Sequence, residues 1–337
     1  MKLQQLRFFM AVIDNGLNIT QAAEALYTSQ PGVSKQIRLL ESELGMRLFV
    51  RQGKRLESLT PAGERVADHA ARVLKEVDGI KALSKELRGE DRGTIRLATT
   101  HTQARYVLPS VIDRFRRDFP DVDFHLHQGT SEQILRMMDE RKVDFALLSG
   151  RAREFGSLVS LPVYQWDRTI LVPQDHPLAE REAPLDLATL ADYPLVTYVY
   201  SDQPESSMMS SFSREGLTPR VAFTARDADI IKTYVRLGLG VGVLASMAVE
   251  AGTDDDLIAL DAAGLFPRLT TWLGFREDLL LTDLHINFIR QLAPHLPERL
   301  FTALTREGPD ADLDDQLQDI ELPLRAGPGR RPELRGC

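Results

Sequence analysis

The chain has 337 residues, of which 43% are hydrophobic and 27% charged, and its net charge is −8. That length suits two or three domains, and the composition is that of an ordinary globular chain rather than a fibrous or disordered one. No apolar run reaches the roughly 18 residues of a membrane span, so no membrane partner is expected, and Cys337, the only cysteine, excludes an internal disulfide and a cysteine metal site.

The opening MKLQQLRFFMAVIDNG has no small-residue cleavage site and runs straight into an amphipathic pattern. It is read as helix rather than signal peptide, and a cytoplasmic protein is expected. Leu3, Leu6, Phe9, Met10 and Ile13 are the expected buried stripe of this first helix. Asn18 or Thr20 caps a short second helix over Gln21–Leu26, whose Ala22, Ala23 and Ala25 let another helix cross closely. Ser29 caps a third helix with Pro31 in its first turn, where a missing N–H costs nothing. Its buried stripe is Val33, Ile37, Leu40 and Leu44.

The opposite face of the third helix carries Thr28, Ser29, Gln30, Ser34, Lys35 and Arg38, with Pro31 among them. Short polar and cationic groups on the N-terminal half of a helix suit entry into the major groove of double-stranded DNA. There Gln30 can read adenine, and Lys35 and Arg38 can reach guanine or phosphate. After Gly45, RLFVRQGKRLESLT reads as a hairpin turning at Gln52-Gly53. Arg51, Lys54 and Arg55 project from it as a wing on phosphate or minor groove. Charge is uneven along the chain: residues 1–88 carry 14 basic and 10 acidic side chains, the remainder 27 and 39. A basic head on an acidic body is compatible with DNA binding confined to the head. Residues 1–59 are therefore expected to be a winged helix-turn-helix domain.

Thr60-Pro61 starts a long helix over 60–88, in which Val66, Ala70, Val73, Val77, Ile80, Ser84 and Leu87 recur at steps of four and three. That heptad seam predicts a coiled-coil linker helix and a dimer presenting two heads to two half-sites.

Beyond a charged linker at 89–93, strand and helix patterns alternate. TIRLAT, VDFHLHQ and VDFALLSG read as strands separated by helices. A second set runs from RTILVP through LVTYVY, PRVAFTA and GVGVLA, and TTWLGF and a helix Leu284–Leu296 close it. The alternation predicts parallel α/β sheets with right-handed crossovers, in two lobes with a cleft between them. One lobe spans about 93–162 and 267–300, the other about 163–266. Ligands in such sheets sit beyond the carboxyl ends of strands, where helix N-termini point. LATTHTQARYVLP, Leu97–Pro109, lies at such a place. Thr100, Thr102 and the amides of Thr102 and Gln103 suit a carboxylate or sulfate. A catalytic alternative makes a threonine the nucleophile and His101 its base, which requires an orienting acid and an oxyanion hole. A third reading is a capped helix without ligand.

GLGVGV follows a helix and precedes a strand, the wrong order for a dinucleotide fingerprint, and is read as a turn with close packing. No cofactor or metal is expected. His125 and His127 share a strand face without a fixed partner and are read as structural, and Trp166 and Trp272 as packing residues. The end of the chain from Gly308 is Asp-, Pro- and Gly-rich and is expected to be disordered, above all 324–337.

NITQAAEALYTSQPGVSKQIRLLESELGMRLFVRQGKRLESLTPAG resembles the DNA-binding head of LysR-type transcriptional regulators, on its Ala-Ala-x-x-Leu, Ser-Gln-Pro-x-x-Ser and Leu-Thr-Pro-x-Gly elements. ATTHTQARY, DFHLHQG, LVTY, FTARDADIIKTYVRLGLGVGVLASMAV and QDIELP resemble the subgroup that regulates cysteine biosynthesis, the CysB-type regulators; the likeness covers residues 1–323. The resemblance implies a periplasmic-binding-protein-like effector domain over 89–323, assembly into a dimer and then a tetramer, and RNA polymerase as a further partner. It also implies that Thr100, Thr102 and Gln103 bind an acetylserine-type inducer or a sulfur oxyanion such as sulfate or thiosulfate. Gln128 and Gly129 match the turn after the second strand, and Ser149 stands where relatives have threonine. The second lobe departs from the pattern: VYSDQPES replaces a Gly-, Thr- and Arg-containing loop, leaving Ser201 and Asp202 at the expected ligand position. The reading is a transcription regulator of sulfur assimilation, not an enzyme. Its rivals are a LysR-type regulator of another pathway, an α/β solute-binding or enzymatic protein, and a dimeric scaffold with an empty cleft.

Overall fold

A computed structural model describes residues 1–53, 55–86, 93–181, 183–306, 313, 317 and 320–325. The chain divides into two compact units, Met1–Glu90 and Asp91–Cys337.

In the first unit, helices α1 (Leu3–Asp14), α2 (Ile19–Ala25) and α3 (Gln30–Leu44) precede a hairpin of β1 (Phe49–Gln52) and β2 (Arg55–Leu59), and α4 (Pro61–Glu86) closes it. The Asn18 side chain accepts from the amides of Thr20 and Gln21, so it is the cap of α2. Ser29 Oγ accepts from the amide of Gly32 at 3.3 Å and starts α3, and left-handed Gly45 ends it. Ala22 and Ala23 are buried, while Ala25 faces solvent. The buried face of α1 is Leu6, Phe8, Phe9 and Val12, one step round from the expected stripe, and Leu3 is 43% exposed. The shift follows from Phe9 meeting Phe49 of the hairpin edge to face, ring centroids 5.3 Å apart. Thr60 Oγ1 donates to Arg47 O and accepts from the amide of Gly63. A Cβ at Gly63 would stand 2.1 Å from Leu48 O, so the Leu-Thr-Pro-x-Gly element needs its glycine for a close crossing. The first turns of the expected coiled-coil seam serve the head itself: Ala70 is buried in its core, with Val66, Ala67 and Leu74 packed against it. Val73 and Ile80 are exposed further along, Ile80 at 65%. The side chains of Ser84 and Leu87 lie outside the described residues.

The second unit continues with β3 (Thr94–Thr99), α5 (His101–Tyr106), α6 (Leu108–Asp118), β4 (Asp123–Gln128), α7 (Ser131–Asp139), β5 (Phe145–Gly150), β6 (Leu158–Trp166) and β7 (Arg168–Pro173). Then come α8 (Leu187–Ala191), β8 (Leu195–Tyr198), α9 (Ser207–Arg214), β9 (Val221–Ala225), α10 (Ala228–Arg236) and β10 (Val241–Ala245). β11 (Leu257–Asp261), β12 (Leu269–Arg276), α11 (Asp283–Leu292), α12 (Glu298–Arg306) and β13 (Leu324–Arg325) complete it. One sheet has the order β13-β6-β12-β5-β3-β4, the other β11-β7-β10-β8-β9. Their cores carry the helix α/β pattern, but the sheets are mixed rather than parallel. β12 runs antiparallel to β5 and β6, and β7 antiparallel to β10 and β11, because these strands carry the chain between lobes. β6 stays with the first sheet to Trp166, paired with Leu269, so the first crossing falls at Asp167 rather than near 162.

Helix α5 stops at Tyr106 and α6 restarts with Pro109 in its first turn, where one helix was expected. Gly240 and Gly242 do provide close packing: a Cβ at Gly240 would meet Pro194 O at 2.2 Å. The expected disorder after Gly308 is corrected in part. Leu313 is buried in the first lobe's core, and Leu317 and Ile320 pack against it. Leu324 and Arg325 pair with β6. Apolar residues spaced among the acidic ones give that segment enough surface to dock.

Candidate effector cleft and nucleic-acid face

In the head, Thr28, Ser29, Gln30, Pro31, Lys35 and Arg38 are exposed on one side of α3, and Ser34 is half-buried. Arg38 Nε donates to Ser34 O at 3.2 Å, which lays its guanidinium along the helix. Tyr27, 99% exposed at φ +50°, adds an aromatic ring beside Thr28 that the sequence reading took only as connection. Arg51 does not project freely from the hairpin: it pairs with Glu41 at 3.2 Å, and Glu41 also accepts from the amide of Leu48. Lys54 lies outside the described residues.

The second unit gathers its polar side chains at the carboxyl ends of β3 and β5. Buried Thr99 donates to Leu147 O, locking β3 to β5. Thr100 starts α5 without capping it through its side chain. Its hydroxyl instead donates to Gln103 Oε1. Gln103 Nε2 donates to Ser149 Oγ at 2.9 Å, and Ser149 Oγ also meets Thr271 Oγ1 at 2.8 Å and the indole N–H of Trp166 at 3.0 Å. Trp166 is thus part of this polar seat rather than packing alone. Thr102 is buried beside the hydroxyl of Tyr198 from the other lobe. Burial raises the pKa of Tyr198, which stays a neutral donor. Gly129 lies one backbone hydrogen bond from Thr99, 3.2 Å, but Gln128 is exposed at the end of β4. Ser201 is buried, whereas Asp202 is exposed.

The seat collects hydroxyls and amides without a nucleophile–base pair. Thr100 gives its proton to an amide oxygen, and His101 turns toward Asp227 and Asp229 of the second lobe, with ligand atoms within 4.8 Å of one another. Those three could hold a metal; Asp229 also accepts from Tyr106 Oη at 2.6 Å and meets Lys232 Nζ at 3.3 Å. His125 and His127 are exposed on β4 and belong to no such group among the described residues.

Residues 3–64 match the bacterial regulatory helix-turn-helix protein of the lysR family, and residues 88–297 match the LysR substrate binding domain. The chain belongs to the LysR family of transcriptional regulators. It is 42% identical over 322 residues to the HTH-type transcriptional regulator CysB of Haemophilus influenzae, covering 96% of this chain and 99% of that protein. Against the regulator SsuR of Burkholderia cenocepacia it is 41% identical over 307 residues, covering 91% and 99%. The cofactor-binding domain of the Cbl transcriptional regulator superposes with a TM-score of 0.60 at 36% identity, covering 65% of this chain and 95% of that one. Full-length CbnR complexed with its target DNA shares the fold, with a TM-score of 0.58 at 20% identity over 87% of this chain and 99% of that one. The chain is therefore a DNA-binding regulator and not an enzyme.

Two features of this LysR-family regulator escaped the sequence reading. One is Arg168, at the start of β7 and only 5% exposed. Its Nη2 donates to Ser207 Oγ at 3.1 Å, while Nε and Nη1 are buried without a partner among the described residues. Burial lowers its pKa from the ordinary arginine value. A lone arginine opening the apolar run RTILVP was the available signal. The other is a set of bonds between lobes. Tyr106 reaches Asp229, and Arg105 pairs with Glu250 at 2.9 Å. Burial pushes the Asp229 carboxyl up, but the Tyr106 hydroxyl and Lys232 together hold it below the usual range. Among the described residues no helix is long and apolar enough to cross a membrane.

Proposed function

We propose that this LysR-family chain regulates genes of sulfur assimilation and cysteine biosynthesis, reading promoter DNA through α3 and sensing an acetylserine-type inducer or a sulfur oxyanion in the cleft. The observation that carries the reading is the seat formed by Thr100, Gln103 and Ser149, with Thr102 facing Tyr198 across the cleft. Hydroxyl and amide donors converging at strand ends suit an oxygen-rich anion that is held and not transformed. The resemblance to CysB and SsuR supports the sulfur-related class. Gly129 and Ser201 extend the site through backbone and hydroxyl, while Gln128 and Asp202 sit at its rim. In the head, Thr28, Ser29, Gln30, Pro31, Ser34, Lys35 and Arg38 form the DNA face, Arg51 adds a cation from the hairpin, Lys54 is included on its sequence alone, and α4 pairs two heads. Ligand acts by binding one arrangement of lobes or subunits better than another.

The test is titration calorimetry of acetylserine, sulfate and thiosulfate against the full chain, with and without operator DNA, repeated on Thr102→Ala. At least one of the three compounds should bind the unaltered protein, bind Thr102→Ala more weakly, and bind with a different affinity when DNA is present. Equal heats for both proteins would remove Thr102 from the site, and silence with all three compounds would end the sulfur assignment.

A further inference from the structure

We propose that Arg168 supplies the positive charge of the effector cleft and that its guanidinium takes the anionic group of the effector, a carboxylate or oxyanion, on the second-lobe side. The proposal rests on the reading of the cleft as the effector site.

The side chain is almost wholly buried yet makes a single hydrogen bond, to a neutral serine. Nε and Nη1 are left with no acceptor among the described residues. Trp166 and Phe266 flank the guanidinium, with ring centroids 5.9 and 5.6 Å away. The titratable groups that face it are Tyr198 and Tyr200, both neutral phenols, and among the described residues no carboxylate pairs with it. A structural arginine in a protein interior carries a carboxylate or a set of carbonyls; taking its charge out of water without one is costly. Arg276 in this same chain shows the ordinary solution, spending Nη1 on Met138 O and Val143 O and Nε on Asp278.

What surrounds Arg168 is built to receive an anion. Ser207, its one partner, opens α9, whose first amides carry partial positive charge. Two side chains join this place to the seat of the first lobe. Trp166, over which the guanidinium lies, donates to Ser149, and Tyr198 stands beside Thr102. The first-lobe seat is entirely uncharged, so it selects hydrogen-bonding shape, and Arg168 selects charge. The effector class is a small anion with an oxygen-rich body, and a neutral ester or amide of the same shape is rejected. The Asp202 carboxylate, at the expected ligand position in the sequence, is exposed, and the charge that faces the ligand is that of Arg168.

The test compares the full chain with Arg168→Gln and Arg168→Lys, using sodium sulfate, acetylserine, acetate and phosphate as probes in thermal unfolding and calorimetry. For whichever anion binds the unaltered protein, Arg168→Gln should weaken binding by about 10- to 100-fold, the worth of a charge-assisted contact, and Arg168→Lys should retain part of the affinity. Without anion, Arg168→Gln should melt about 2–4 °C higher, because an uncompensated charge is gone; a merely structural arginine would give the opposite sign. Anion affinity unchanged in Arg168→Gln, or a variant that melts lower or fails to fold, overturns the proposal. So does an unaltered protein that no probe stabilises. If acetate or phosphate binds through Arg168 while sulfate and acetylserine both fail, Arg168 stands and the sulfur assignment falls.

Discussion

Lys35 and Arg38 show what one side chain decides in the head. Both are exposed on the half of α3 that carries Ser29 and Gln30, and neither has a carboxylate partner among the described residues. Lys35→Ala and Arg38→Ala should each weaken operator binding, by about 1–3 kcal/mol for a side chain that reaches a base, or by lowering the salt slope by about one for one that reaches phosphate. Gel shifts over a range of salt concentrations, with size-exclusion as a control for assembly, check this; unaltered affinity in both variants would remove α3 from the groove. Arg51 is different in kind, since its pairing with Glu41 ties the hairpin to α3. Polar type and spacing on α3 were legible from the residues alone, because a helix face is set by neighbours three and four positions apart. The partner of Arg51 was not, because it comes from another element.

At the scale of elements, the lobes of the effector unit are joined by α5 meeting α10. Tyr106 Oη donates to Asp229 at 2.6 Å, and Lys232, itself buried, bonds Asp229, Asp254 and Ala248 O. Tyr106→Phe should cost about 1 kcal/mol of stability, kept at the low end because Asp229 is partly open to solvent. The carboxyl of Asp229 is held below its ordinary 3.8. Its contribution is therefore whole above pH 3.8 and fades as pH falls through the lowered folded value. Thermal unfolding of both proteins should show a constant difference from neutral pH down to about 5, where the carboxylate stays ionised; a difference that grows or vanishes near neutrality would assign the bond to another group. Caps and glycine turns of these elements were readable: Asn18, Ser29, Gly45 and Gly240 each act within a few residues of themselves or at a single close crossing. Strand direction was not. β6, β11 and β12 have the same apolar pattern whether they run with or against their neighbours, so the mixed sheets and the crossing at Asp167 could not be read locally.

For the whole molecule, the uneven charge sets the conditions of its work. A basic head on a chain of net charge −8 keeps nucleic-acid binding to one end, and its affinity should fall steeply with salt as phosphate contacts release counterions. Assembly is the second condition. Val66 and Ala70 are already used inside the head, so a partner helix would meet α4 further along, at Val73 and Ile80. Where two chains pair through α4, Ile80→Asp should separate them and reduce operator affinity, measured by analytical ultracentrifugation beside gel shifts. A variant that stays dimeric would place the subunit contact elsewhere.

By itself the sequence determined the helix-turn-helix with its hairpin, the α/β character of the second unit, and the hydroxyl-rich helix start at Thr100–Gln103. Each depends on short-range chemistry: caps, periodicity and turn residues that act within a few positions. Only the tertiary structure decided that Trp166 joins Ser149 in the seat, that Tyr106 ties one lobe to the other, and that Arg168 is buried without a counter-charge among the described residues. Those facts depend on side chains brought together from distant parts of the chain, and a buried charge reveals its missing partner only once every neighbour is in place.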